Sequence, residues 1–250
     1  MDNDQGYLTQ VRDSLLHGID GQPPETVGQP ARTVGHVPDL ERFSSPLKLG
    51  ISPSEDFKAS SAGDRKVKLP MGYEQMQDAM QIVLKDILNS HGRTMAKYGE
   101  IHLTVRQARL LPPNTTQGNW HLEPDRTSDS IEPDTQYLMS DADGTLLQTH
   151  SVKAIAPDRS QPERLSAAGT FNKMKTEILF DAGLARQAEP GEIVKLQNTV
   201  HAIAPRTSPE RTMMRVTFVP PSAETLRNLP EEEKADLPDH IRQKLDPGLN

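Results

Sequence analysis

The spacing of apolar residues changes near position 100, and this change most limits the folds open to the chain. Upstream, six apolar residues recur at the i, i+4, i+7, i+8 spacing of one helical face: Met76, Met80, Val83, Leu84, Ile87 and Leu88. The spacing predicts an amphipathic helix that starts near Gly72 and stops or breaks at Gly92. Downstream, apolar and polar residues alternate from Ile101 to about Leu111, which is typical of a half-buried strand. We therefore expect a helix followed by strands.

Turn-forming residues cut the rest of the chain into short segments. The clearest turns lie at residues 112–114, 141–144, 189–191 and 220–221. The segments between them predict roughly seven or eight short strands, with a hairpin at the second turn. Residues 171–180 fit a strand and a short helix equally well. The pattern predicts a mainly β fold, either a β-sandwich or a jelly roll, with one or more flanking helices.

Composition divides the chain into three parts. Residues 1–70 have prolines interleaved with Gly and Ser and keep no helical or strand period, so we expect a flexible leader. Residues 71–221 hold the helix and the strands and are predicted to form one domain. Residues 222–250 predict a charged, partly helical tail, with helix-forming stretches at 231–236 and 239–245.

Charge and residue usage exclude several classes of function. The net charge of −7 disfavours a general nucleic-acid binder, which needs a basic face. The absence of cysteine excludes disulfides, thiolate zinc sites and iron–sulfur clusters, so a protein metal site must use His and carboxylates. No apolar run reaches the length of a membrane span, and the acidic N-terminus does not resemble a secretory signal. We expect a cytoplasmic protein with no membrane partner; export by a route that needs no such signal stays open.

One motif carries candidate chemistry. His121 and Glu123 form an H-x-E pair, and His201 follows about eighty residues later. Two imidazoles and one carboxylate can occupy one face of an octahedral metal, which suits non-haem Fe(II) and oxygen chemistry. Arg211 follows ten residues after His201 and can hold a carboxylate in a two-pronged hydrogen bond. Arg215 shares its strand face, because side chains alternate along a strand, so parity does not choose between the two.

The residues around this motif resemble one enzyme superfamily. Residues 104–113 and 120–123 resemble the strand and loop that open the fold of the Fe(II)/2-oxoglutarate-dependent dioxygenases. Residues 137–145 look like its following hairpin, and residues 189–201 look like its turn, strand and distal histidine. Residues 211–218 look like its last strand. The order and spacing agree over about three-fifths of the chain.

The resemblance implies a double-stranded β-helix, which is a jelly roll with the metal at its open mouth. By matching positions, the Fe(II) ligands are His121, Glu123 and His201. The arginine that anchors 2-oxoglutarate falls on Arg211, with Arg215 as the alternative. The superfamily usually has Asp at the position of Glu123, although some members have Glu.

The same resemblance implies an oxygenase reaction. O2 and 2-oxoglutarate are consumed, 2-oxoglutarate is decarboxylated to succinate, and a small molecule such as an amino acid, or a residue of a peptide or protein, is hydroxylated. Tyr137 and Thr145 lie on neighbouring strands and are candidates to hydrogen-bond the co-substrate. The sequence makes no prediction of oligomeric state.

Two other functions compete with this one. The first is a non-catalytic jelly-roll protein, an interaction or secreted effector-type protein, that uses its surface and its leader. The second is a cupin-type metal enzyme that does not use 2-oxoglutarate; the arginine after the distal histidine, Arg211, argues against it.

Overall fold

A computed structural model describes most of the predicted domain and parts of the flanking segments. The described residues are 6, 8–10, 12–13, 16, 26–37, 47–51, 76–108, 120–121, 131–142, 144–153, 176–202 and 211–246. Over these residues the protein consists mainly of antiparallel β-sheets with some helices, which confirms the predicted mainly β class. Among the described helices, none is long and apolar enough to cross a bilayer.

The elements follow one another as a long helix among short strands. The described strands are β1 (Thr26–Val27), β2 (Arg32–His36), β3 (Leu47–Ile51), β4 (Glu100–Ala108), β5 (Thr135–Ser140), β6 (Leu146–Gln148), β7 (Val152–Lys153), β8 (Ala185–Gln187), β9 (Glu192–Leu196), β10 (His201–Ala202) and β11 (Arg211–Val219). The described helices with defined bounds are α1 (Met76–Tyr98), α2 (Thr176–Asp181), α3 (Ala223–Arg227), α4 (Glu231–Lys234) and α5 (Asp239–Leu245).

Two sheets hold most of these strands. The large sheet has the order β2-β9-β5-β11-β4-β3, and the small sheet has the order β10-β6-β8. Every pair in both sheets is antiparallel. An antiparallel bridge between His121 and His201 extends the small sheet beyond β10. β1 pairs separately with β7.

The strand pairs are nested along the chain. β4 pairs with β11, His121 with β10, β5 with β9, and β6 with β8. Each pair lies inside the previous one in sequence, and successive pairs belong alternately to the large and the small sheet. One nested series of antiparallel pairs therefore contributes alternately to two sheets.

The two faces of the large sheet pack against different layers. One face meets α1 in a core that includes Tyr137, Met214 and Phe218. The opposite face meets the small sheet through a second cluster, which we call the intersheet cluster: Leu138, Leu147, Ala188, Val194 and Leu196, with Ala31 and Met213 packed against it. The alternation of side chains along each strand assigns neighbouring residues to opposite layers.

Helix α1 matches its prediction and continues beyond its predicted break. The predicted apolar face is buried against the large sheet, with Leu88 partly buried. Gly92 has φ 80° and ψ 169°, so it kinks the helix, which resumes and ends at Tyr98. The part beyond the kink packs through Met95 against the tail residues Leu226, Leu229 and Ile241. The two helical parts of α1 on either side of Gly92 therefore pack against different partners, the sheet and the tail.

The flanking segments contain more structure than their composition predicts. Within residues 1–70, the described residues between 6 and 16 are helical, and β2 and β3 form the two edges of the large sheet. The composition of this segment does not indicate the two strands, and its flexibility stays a prediction. Edge strands are held by main-chain hydrogen bonds to the neighbouring strand, so they need little apolar patterning of their own.

Two other predictions are decided by the helices. Residues 171–180 were predicted to form either a strand or a short helix. The described part of this segment is helical, because α2 spans Thr176–Asp181. In the tail, the predicted helix-forming stretches contain α4 and α5. The prediction missed α3, whose first turn is capped by Ser222.

Candidate metal centre

The fold brings together two of the three predicted metal ligands. His121 and His201 are direct partners in an antiparallel bridge, with N···O distances of 2.9 and 3.0 Å in the two directions. Directly opposed residues in an antiparallel pair project their side chains to the same side. The two imidazole rings accordingly lie with their centroids 4.3 Å apart at an interplanar angle of 52°. The fold thus places two histidines that are eighty residues apart in the sequence side by side.

The histidine pair lies on the inner side of the small sheet. On its other edge, His201 is opposite Leu147 of β6, so these two side chains also share a side. Leu147 belongs to the intersheet cluster and packs towards the large sheet. His201 is 5% exposed, and the neighbouring Trp120 is 4% exposed. The imidazoles therefore lie between the two sheets, with His201 buried and His121 partly exposed.

A main-chain contact sets the tautomer of His201. Its Nδ1 lies 3.0 Å from the carbonyl oxygen of Thr199. A carbonyl oxygen only accepts hydrogen bonds, so Nδ1 carries the proton in this contact. The neutral ring then has its lone pair on Nε2, which is the arrangement of a metal-binding histidine oriented by a hydrogen bond from its other nitrogen. The donor set of this pair fits two positions of a metal centre rich in imidazole.

The third predicted ligand lies outside the described residues. Glu123 falls in the stretch 122–130, which the structure does not describe. Within the described part of the chain, no group of three or more His, Cys, Asp or Glu side chains is placed to hold a metal ion. The carboxylate of the motif therefore stays a prediction.

The two candidate arginines both belong to β11. Arg215 is opposite Leu138 of β5 and Thr104 of β4, and it is half-buried. It shares a strand face with Met213, which packs against the intersheet cluster, so Arg215 is on the side of the histidines. Arg211 pairs with Ala108 at the start of β11, and its side chain is outside the described atoms.

Thr145 is also on the inner side. It is buried, and its carbonyl oxygen accepts the N–H of Ala188 at 2.9 Å, which continues the β6–β8 ladder by one pair. Ala188 belongs to the intersheet cluster, so the side chain of Thr145, directly opposite, faces the same space. Thr145 stays a candidate to contact a ligand between the sheets.

Tyr137 lies on the other side of the large sheet. Its ring belongs to the core beneath α1, and its hydroxyl donates a 2.8 Å hydrogen bond to Oδ2 of Asp86 on that helix. Burial, together with the neighbouring charge of Asp86, raises the pKa of the Tyr137 hydroxyl far above its ordinary value. The assignment of Tyr137 to co-substrate binding is therefore corrected, since a sheet separates it from the histidine pair.

Sequence reasoning missed Gln148 and Thr199, which hold the main chain around His201. Gln148 is fully buried, and its Oε1 accepts the N–H of Val200 at 3.1 Å. Thr199 supplies the carbonyl that fixes the His201 ring. Gln148 accepts a main-chain N–H through its side chain, and Thr199 offers its main-chain carbonyl to a residue two positions later. No motif in the sequence signals either contact.

Comparisons with known proteins add little to this geometry. No protein-family model matches the chain, and no curated protein matches it. A crystal structure of EvdMO1 is similar at 11% identity and a TM-score of 0.32, over 78% of this chain and 48% of EvdMO1. AtDAO1, dioxygenase for auxin oxidation 1 from Arabidopsis thaliana in a binary complex with 2-oxoglutarate, is similar at 12% identity and a TM-score of 0.33, over 86% of this chain and 73% of AtDAO1.

The chain thus spans about half the length of EvdMO1. Similarity at these TM-scores carries no argument about the fold or function of this chain.

Proposed function

We propose that the two sheets are the halves of a double-stranded β-helix. The nested pairs β4–β11, His121–β10, β5–β9 and β6–β8 support this, because a jelly roll arises when one long antiparallel ribbon is wound into two facing sheets. In that fold, alternate turns of the ribbon belong to opposite sheets, as they do here. The space between the sheets is then the natural place for a ligand.

Within this fold, we propose an Fe(II)/2-oxoglutarate-dependent oxygenase with His121, Glu123 and His201 as the metal ligands. The observation that carries the proposal is the paired, inward-facing histidines, with ring centroids 4.3 Å apart. Two imidazoles and a carboxylate are a donor set that would hold Fe(II), and the bound ion would serve oxygen chemistry with a co-substrate. When bound, iron and 2-oxoglutarate supply the oxidising chemistry, with decarboxylation to succinate.

The residues of the chain then have separate tasks. The contact of His201 Nδ1 with the Thr199 carbonyl orients the imidazole and keeps the Nε2 lone pair towards the metal position. Arg215 and Arg211 are the candidates to bind the distal carboxylate of 2-oxoglutarate through paired N–H donors. Burial of the imidazole and of Trp120 excludes water around the ligand positions, which strengthens the electrostatic contacts made there.

We further propose that Arg215 is the stronger candidate anchor. It lies at the centre of β11, half-buried on the inner side, between the inward-facing Met213 and Thr217. A guanidinium at that depth is screened less than one at a strand end, so it interacts more strongly with a carboxylate. Thr145, on the facing small sheet, is proposed as a second hydrogen-bonding group for the same carboxylate.

The substrate proposed is a small molecule, such as an amino acid, or a residue of a peptide or protein. The sequence predicts loops at residues 124–134 and 155–168, and loops at the mouth of such a fold would select the substrate. Cytoplasmic location also stays part of the proposal.

The test is release of succinate from 2-oxoglutarate by the purified protein with Fe(II), ascorbate and O2. Uncoupled turnover without a prime substrate is sufficient for this readout. We expect His121→Ala, Glu123→Ala and His201→Ala to abolish release. His102→Ala is the matched control, because His102 is an exposed residue of β4 paired with Glu100. No release by the wild type above the level of free Fe(II), together with no retained iron, would refute the oxygenase and favour a non-catalytic interaction protein.

A further inference from the structure

The short strand that carries His201 is held by unusual contacts. β10 is only two residues long, and it pairs with β6 through His201–Leu147 and Ala202–Leu146. Such a short ladder is a weak support for a ligand whose position must be fixed within a fraction of an ångström. The contacts immediately before it, at Val200, therefore decide how firmly His201 is placed.

Both main-chain groups of Val200 are held by one residue, Gln148. The N–H of Gln148 donates to the Val200 carbonyl at 3.1 Å, which continues the β6–β10 ladder. The return bond does not go to the Gln148 main-chain carbonyl, which instead accepts the N–H of Ala31 at 3.0 Å. The Val200 N–H donates to the side-chain Oε1 of Gln148, also at 3.1 Å. The side-chain amide thus takes the place of a main-chain carbonyl that another segment uses.

The amide of Gln148 is itself held from two sides. Its Nε2 donates to the carbonyl of His150 at 2.7 Å, which fixes the orientation of the amide plane. Gly28, with φ +69°, passes so close that a Cβ added there would be 2.5 Å from Oε1. Gln148 is 0% exposed. An amide enclosed in this way has little freedom to move, so it defines the position of Val200.

The position of Val200 determines that of His201, because the two residues are adjacent and bond to different neighbouring strands. Within an antiparallel strand, successive residues direct their N–H and C=O groups to opposite neighbours. Val200 bonds to Gln148 on one edge, while the next residue, His201, bonds to His121 on the other edge. The N-terminal segment adds a further tie, since the N–H of Gln29 donates to the carbonyl of Asn198 at 2.8 Å. Gln148 therefore acts one peptide away from the proposed ligand.

From these contacts we infer that Gln148 is a positioning residue that sets the place of His201 relative to His121. The consequence for metal binding rests on the proposed function. Residues that orient metal ligands typically change metal affinity by about 10–100-fold when they are substituted. The segment at residues 28–31, which composition assigns to a flexible leader, contributes to the same support through its contacts with Gln148 and Asn198.

The test uses the full-length variant Gln148→Met, which keeps the length of the side chain and removes both hydrogen-bonding groups. In the wild type, the ring protons of His121 and His201 are close enough for nuclear Overhauser effects. In Gln148→Met we expect these effects to weaken, the Val200 amide to exchange at least about tenfold faster, and Fe(II) affinity to fall about 10–100-fold. His102→Ala is the control, because His102 is an exposed residue of β4 paired with Glu100; it should leave all three unchanged.

The readouts separate this inference from the proposed function. Unchanged ring contacts in Gln148→Met would overturn the inference, even if the wild type binds Fe(II). Weakened ring contacts in a protein whose wild type binds no Fe(II) would support the positioning role and refute the metal site. Should Gln148→Met fail to fold, Gln148→Glu retains an oxygen in place of Oε1. In that variant, ring contacts and Val200 amide protection that are both retained or both lost support the inference, and a change in one without the other overturns it.

Discussion

Tyr137→Phe tests which face of the large sheet belongs to the functional site. The substitution removes the hydroxyl that donates to Asp86 Oδ2 at 2.8 Å beneath α1. A hydrogen bond to a charged group contributes about 1.5–3 kcal/mol. Asp86 keeps Lys195, whose Nζ lies 3.1 Å away, as well as Arg32, so its carboxylate is not left unpaired. We therefore expect a loss near the lower limit, about 1.5–2 kcal/mol of the free energy of unfolding.

Two assays on the same variant complete this prediction. Urea denaturation gives the loss of stability, and succinate release at varied 2-oxoglutarate gives the KM. Because the hydroxyl is separated from the histidine pair by the sheet, we expect the KM of Tyr137→Phe to stay within about twofold of the wild type. A KM raised tenfold or more with no loss of stability would mean that Tyr137 contacts the co-substrate, and it would refute the assignment of the two faces.

Three further changes test other parts of the structure. Arg215→Ala should raise the KM for 2-oxoglutarate about 10–100-fold, because a paired, charge-assisted contact contributes about 1.5–3 kcal/mol; an effect of Arg211→Ala alone would move the anchor to that residue. Gly144→Ala should destabilise the fold by about 1–3 kcal/mol in urea, since the new Cβ would lie 1.8 Å from the Ala188 carbonyl oxygen; an unchanged midpoint would contradict this contact. Glu192→Gln should reduce the loss of the free energy of unfolding that accompanies a fall in pH below about 4.5. Burial acts to raise the pKa of Glu192, but hydrogen bonds from Arg186 and Thr33 outweigh it and lower the pKa to about 2 from an ordinary 4.5. The lowered pKa means that the stabilisation is present above about pH 4.5 and is lost as the pH falls towards 2. The lowering of the Glu192 pKa corresponds to about 3 kcal/mol of the free energy of unfolding, and solvent screening at Arg186, which is 35% exposed, reduces this to about 2 kcal/mol. Identical dependence of stability on pH in the wild type and Glu192→Gln would refute this prediction.

Secondary structure could be predicted from the sequence where the spacing of apolar residues is regular. Helix α1 was predictable because its apolar positions keep one face, and β11 because it alternates between two turn signals. Prediction failed where main-chain pairing decides the structure. β2 and β3 form sheet edges from a segment rich in proline and glycine, and their partners are distant in sequence.

The site was predictable in part for the same reasons. The motif identified His121 and His201, and the structure makes them direct partners. Tyr137 became a candidate for co-substrate binding because β5 gives no sign of its orientation: its polar residues Thr135, Gln136 and Ser140 lie on both faces. The supports of His201 escaped detection because each of them pairs with a main-chain group, and every residue carries such groups: Gln148 accepts the Val200 N–H, and the Thr199 carbonyl contacts the His201 ring.

The central claim is that His121 and His201 jointly bind a metal that also holds 2-oxoglutarate. The most direct measurement is anaerobic addition of Fe(II) and then 2-oxoglutarate, with detection of the weak visible charge-transfer band of the iron–keto acid chelate. We predict a band in the wild type that is lost in His201→Ala and weakened when the anchoring arginine is replaced. No band in the wild type, with no iron retained after gel filtration, would contradict the claim.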